Sequence, residues 1–218
     1  MRTLCIAILI GLLVVAFAPG NPARSADEKK ADFVDKDLSN WEGLMEQWSF
    51  KDGALVGTTF PDGGKFNTFL CSKKKYKDFE LHFQVKLTGK GWTGNSGVQV
   101  RSKIIDTEDG KKQFAVSGPQ CDMGEIYWGS LFGEAFGGMM KQASADLVKK
   151  VVKPDDFNDY YIKVVGKHVT IKLNGETTID DDFEKLPDDG IIAWQLHAGK
   201  PMEVTFKHIE FKDLSEKK

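Results

Sequence analysis

The sequence predicts an all-β fold, a two-sheet antiparallel sandwich or a barrel, on three observations. Residues 79–87 alternate apolar and polar without a break. Short apolar runs recur along the chain, separated by Gly and Asx turns. Helical periodicity appears once, around residues 144–151, before Pro154 stops it. The 218 residues leave room for one full-sized domain, and two packed antiparallel sheets suit that length.

The elements follow in order. Phe79 to Leu87 form a half-buried strand with Phe79, Leu81, Phe83, Val85 and Leu87 inward, because side chains two apart share a face. Residues 161–165, 169–173 and 176–179 read as a meander. Gly166-Lys167 and Asn174-Gly175 supply its hairpin turns. Residues 191–197 and 203–211 add two strands, the last with an irregularity between Phe206 and Ile209.

The N-terminus reads differently. Arg2 precedes an apolar run from Leu4 to Ala18, and small residues follow. That pattern is a secretory signal, with cleavage expected near Ser25 or Ala26. The run is shorter than the roughly 20 residues of a spanning helix. The expectation is a signal over residues 1–25, one domain over 26–218, and an exported chain with no membrane partner after cleavage. Removing the signal takes Arg2 and Arg24 and no acid, which lowers the net charge of −2. A chain so near neutrality has no electrostatic footprint for duplex nucleic acid. Of 3 cysteines, Cys71 and Cys121 remain, either paired or as two buried thiols.

Few motifs carry chemistry. Gly89-Lys-Gly91-Trp-Thr-Gly94 matches a dinucleotide fingerprint in letters, but a strand pattern follows it, not a helix. What stands out is polar pairs at strand spacing: Gln99 with Arg101, Gln120 with Asp122, and Gln195 with His197. If the three pairs lie on one sheet face, they make a concave surface of amides and charges, which suits sugar hydroxyls. Asn95 lies in the loop before the first pair. Trp92 and Trp128 are stacking platforms for a sugar ring, while Trp194 faces the core. His197, Asp122 and Glu134 could be assembled as three ligands of a mononuclear metal site. Nothing in their spacing asks for a metal or a cofactor, although a divalent ion would be compatible with such a set.

Read in order, the motifs resemble one bacterial family. Phe33-Val-Asp-Lys-Asp-Leu38-Ser-Asn-Trp41 resembles its F-N-G-K-D-L-S-G-W opening, with Val34, Asp35 and Asn40 departing from it. Trp48 to Leu55, Tyr76 to Leu81, Asn95 to Arg101, Gly118-Pro-Gln120-Cys-Asp122, Tyr127 to Leu131, Asn158 to Tyr160, Leu173 to Gly175 and Gly190 to His197 follow in family order. The family is that of the 3-keto-disaccharide (3-keto-glycoside) hydrolases. The resemblance implies a jelly-roll sandwich of the concanavalin A-like lectin/glucanase type. Many relatives carry Glu where this chain has Gly118; the chain resembles the branch with Gly there and Asp two residues after the Gln.

The implied ligand is an oligosaccharide or glycoside. The implied chemistry is β-elimination from a 3-keto-glycoside, followed by water addition. It needs a base, an acid and a group that stabilises the enolate. His197 or Asp122 is the base, with the other or Glu134 as acid. Arg101 faces the enolate. Gln99, Gln120, Gln195, Asn95, Trp92 and Trp128 bind the sugar. The alternatives are a carbohydrate-binding module without catalysis, and an exported interaction protein whose polar face is merely solvated.

Overall fold

A computed structural model describes residues 32–106 and 113–215. The predicted signal, residues 1–25, lies outside the described residues. Among them, two seven-stranded antiparallel sheets make up the fold. One sheet runs β1 (Trp41–Glu42), β4 (Thr68–Tyr76), β13 (Gly190–Leu196), β6 (Ser96–Ile104), β7 (Val116–Met123), β8 (Leu131–Glu134) and β9 (Gly138–Lys141). The other runs β12 (Glu176–Asp182), β11 (His168–Leu173), β10 (Asn158–Val165), β5 (Phe79–Gly89), β14 (Met202–Asp213), β3 (Ala54–Thr58) and β2 (Trp48–Lys51). This is the expected sandwich, with jelly-roll crossovers that place late strands between early ones.

The alternation of residues 79–87 sits where it points. Phe79, Leu81, Phe83, Val85 and Leu87 are all buried on β5. The opposite layer contributes a row read straight across its ladders: Leu70, Trp194, Val98 and Cys121. Trp194 packs between the layers, with ring centroids 5.4 Å from Phe83 and 4.5 Å from Phe206. Both rings belong to the second sheet, so this tryptophan is core, as expected. The turn at Asn174-Gly175 has positive φ at both residues, 50° and 87°, the geometry that asparagine and glycine tolerate. The irregularity in the last strand is a bulge: register shifts between Lys207 and Glu210, and His208 has φ 53°. The one helical pattern forms α1 (Ala145–Val151), capped by the Ser144 hydroxyl, which accepts from Leu147 N–H at 3.4 Å.

Cys71 and Cys121 are free and buried. Cys71 belongs to a small second cluster with Phe69, Val116, Ile191 and Ala193, on the face opposite the main core. Cys121 belongs to the main core. Three ladder steps also separate their strands, roughly 14 Å. No disulfide spans that distance.

Candidate functional site

On the first sheet, the residues next to the core row face away from the core. Cys71, Ala193, Gln99 and Gln120 are cross-strand partners in sequence along that outer face. Two residues further along their strands stand Gln195 and Asp122. The floor is polar because β13, β6 and β7 each place amides or acids here. It is also tight: Gln99, Gln120 and Gln195 are at most 2% exposed. Gly97, opposite Asp122 in the ladder, makes room for this packing. A Cβ on it would lie 2.6 Å from Cγ and Cδ of Gln120, so only glycine lets that side chain lie over β6.

Above this floor opens a cleft of about 410 Å³, within the range of small-ligand sites. Gln120, Asp122, Glu134, Asn95, Gln195 and His197 line it, with Tyr127, Phe132, Met139 and Gln142 on its far wall. Six of the ten expected site residues therefore meet in one place.

Asp122 is 6% exposed. Burial pushes its carboxyl from 3.8 up to about 7. The Met123 N–H, which donates to Oδ1 at 2.9 Å, pulls it back, and the negative Glu134 pushes it up. The Gln120 amide also bonds this carboxyl. Tyr160 fixes the backbone here, its hydroxyl donating to Asp122 O at 3.0 Å. His197 sits just past the end of β13, with Nδ1 2.6 Å from Ala198 O. A carbonyl only accepts, so Nδ1 carries the proton and Nε2 of the neutral ring keeps its lone pair. Asn67 ties the two walls together. Its oxygen accepts from Ala198 N–H at 2.8 Å, and its Nδ2 donates to Glu134 Oε1 at 3.2 Å.

The remaining four expected residues lie elsewhere or beneath. Gln99 lies in the floor under Gln120, their amides 2.7 Å apart, and does not line the cleft. Trp92 stands beside His197, ring centroids 6.3 Å apart, with Nε1 donating to Pro201 O at 3.2 Å. Trp128 is buried in the main core and presents no platform, a correction to the expectation.

Arg101 is the larger correction. Between Gln99 and Lys103 the β6–β7 register slips, and Arg101 has φ 46°. This bulge reverses the alternation, so Arg101 does not share the face of Gln99. Its guanidinium instead donates to Lys77 O at 2.5 Å, Gly166 O at 2.6 Å, Pro187 O at 2.9 Å and Asp78 Oδ1 at 2.8 Å. It clasps the β10–β11 turn and the two connections that pass between the sheets, at Lys77-Asp78 and at Pro187, and is 1% exposed. No lysine or arginine is left among the residues lining the cleft.

Sequence reasoning missed Asn67 and the far wall. Phe132 was within reach, since it lies two residues from Glu134 on β8 and opposite Gln120 in the ladder. Tyr127 lay in a motif already noted. Asn67, Met139 and Gln142 left no periodic signal. Among the described residues, no group of three or more His, Cys, Asp or Glu side chains is placed to hold a metal ion. Gly118, where many relatives carry Glu, is the ladder partner of Glu134, and a Cβ on it would fall 2.1 Å from Ser102 Oγ.

Comparison with known proteins agrees with this architecture. No curated protein matches the chain. A candidate glycosyl hydrolase from Parabacteroides distasonis is 23% identical, with a TM-score of 0.57 over 83% of this chain and 97% of that one. The carbohydrate-binding module CBM66 from Bacillus subtilis is 13% identical, also at TM-score 0.57, over 79% of this chain and 95% of that one. A Bacillus subtilis protein of unknown function with a galectin-like fold is 13% identical, at 0.52 over 81% and 90%. At such identities these likenesses speak to the fold. The family model described as a 3-keto-alpha-glucoside-1,2-lyase-like domain matches residues 28–212, nearly the whole described chain. The chain therefore belongs to the family of 3-keto-alpha-glucoside-1,2-lyase-like domains, among carbohydrate-active proteins.

Proposed function

We propose that the cleft cleaves glycosides oxidised at C3 of the sugar. The ketone acidifies the hydrogen on C2. A base removes it, the electron pair closes a C1=C2 double bond, and the glycosidic oxygen leaves C1 with a proton from an acid. Water then adds across that bond, oxygen to C1 and hydrogen back to C2, for net hydrolysis.

His197 suits the base, because its Nδ1–H is held by Ala198 O and leaves Nε2 free. Asp122 suits the acid. The observation that carries this reading is a carboxyl held near pKa 7 in the same cleft as that imidazole, since a group titrating at the working pH can both give and take a proton. Glu134 helps keep Asp122 protonated. Arg101 has no part, so the enolate oxygen must be met by neutral donors such as the amides of Asn95 and Gln142.

The test is to incubate the protein with a 3-keto-glucoside and with its unoxidised parent. Release of aglycone from the oxidised compound alone supports the reading. Binding of both sugars with turnover of neither would replace it with a non-catalytic binding module, the role of the CBM66 neighbour. We further propose that residues 1–25 direct export; N-terminal sequencing of secreted protein should begin near Ser25 or Ala26.

A further inference from the structure

Three buried glutamines form a continuous chain of amides under the cleft. Gln99 and Gln120 approach to 2.7 Å, and Gln120 and Gln195 to 3.4 Å. Gln120 reaches Gln195, two strands away, by lying over β6 at Gly97. Each amide has one end that donates and one that accepts, so fixing one fixes all three.

The fixed end is at Gln99. One end of its amide lies 3.0 Å from Pro119 O, 3.2 Å from Gly118 O and 2.8 Å from Ser102 Oγ. Carbonyl oxygens only accept, so that end is the NH₂. Ser102 accepts from it and donates to Val100 O at 3.1 Å, which satisfies the hydroxyl. The oxygen of Gln99 then faces Gln120, which must donate there. The oxygen of Gln120 in turn faces Gln195, which must donate to it. One end of the Gln195 amide remains, buried beside the cleft with no partner in the protein.

We infer that Gln195 presents its carbonyl oxygen to the cleft, so that this point of the site selects a hydroxyl donor and turns away a ketone oxygen. A ketone has lone pairs only, and two acceptors face to face leave both unpaired in a buried place. The backbone carbonyls at Gly118 and Pro119 thus set, through two intervening side chains, which way round an oxidised sugar lies. The ring enters with a hydroxyl on Gln195 and its ketone directed elsewhere. This rests on the reading of the cleft as a sugar site, but the amide direction is a property of the free protein.

Two measurements test it. In ¹⁵N-labelled protein without ligand, the Gln195 side-chain NH₂, assigned by its loss in Gln195→Met, should be protected from exchange with water, because it points at Gln120. Exchange at the solvent rate overturns the inference. The second measurement is the affinity for 3-keto-glucosides in which single hydroxyls are replaced by fluorine. One replacement should weaken binding about five- to tenfold in the parent and not in Gln195→Met. Equal loss in both proteins also overturns the inference. A protected NH₂ in a protein that binds no glycoside upholds the amide direction and removes the sugar reading instead.

Discussion

Burying one carboxyl ties the stability of this protein to pH. Asp122 has an ordinary pKa of 3.8 when exposed and about 7 when folded. Below the lower value both states hold the proton, and the group's contribution is fully present. As pH rises toward 7 the unfolded chain has released the proton and the folded one retains it, so stability falls. Above 7 the folded state carries a buried anion, at a cost of up to about 4 kcal/mol. Asp122→Asn keeps an oxygen for the Met123 N–H and removes the charge. Its gain in Tm over the parent should be several degrees larger at pH 8 than at pH 4, measured by calorimetry. An equal gain at both values would show a carboxyl that titrates normally. The same change, and His197→Ala, should lower turnover of a 3-keto-glycoside by about 10²-fold or more. His208→Ala should run at the parent rate, because His208 is exposed at the β14 bulge and lines a different depression.

At the scale of the element, the bulge in β6 decides what the sequence could disclose. Strict alternation made β5 readable, and Asn174-Gly175 made the β11–β12 hairpin readable. The same rule placed Gln120, Asp122 and Gln195 on one face correctly, because β7 keeps its alternation through this stretch and β13 does so from Ala193 onward. It failed at Arg101 because one extra residue reverses every later side chain, and nothing in Val98–Ser102 announces that residue. The far wall was hidden for another reason: β8 and β9 are four residues each, too short to show a period. The clasp predicts its own phenotype. Arg101→Met would strand Asp78 and three carbonyl oxygens, and should cost about 3–5 kcal/mol in urea unfolding. Arg101→Lys should recover only part, since an ammonium cannot reach along two directions of a planar fork. Either variant, kept folded at low temperature, should retain parental turnover. A large loss in kcat without loss of stability would return Arg101 to the cleft.

Across the whole molecule, the two cysteines lie on opposite faces of one sheet, and burial raises both thiol pKa values far above the ordinary range. Protein made without residues 1–25, denatured without reductant, should titrate as two free thiols, and the folded protein should resist alkylation at both. A single oxidised pair would contradict the arrangement of the strands. The strand order has a consequence for how such a protein can be made. In one sheet β13 lies between β4 and β6; in the other β14 lies between β5 and β3. The middle of each layer is therefore supplied by residues 190–213, long after its flanks have been synthesised. A nascent chain leaving the ribosome holds each layer as two part-sheets with no strand between them, and Gln195 and His197 arrive on the same segment that joins them. Folding and assembly of the cleft are then one late event, and a chain stopped before Gly190 should yield no folded intermediate.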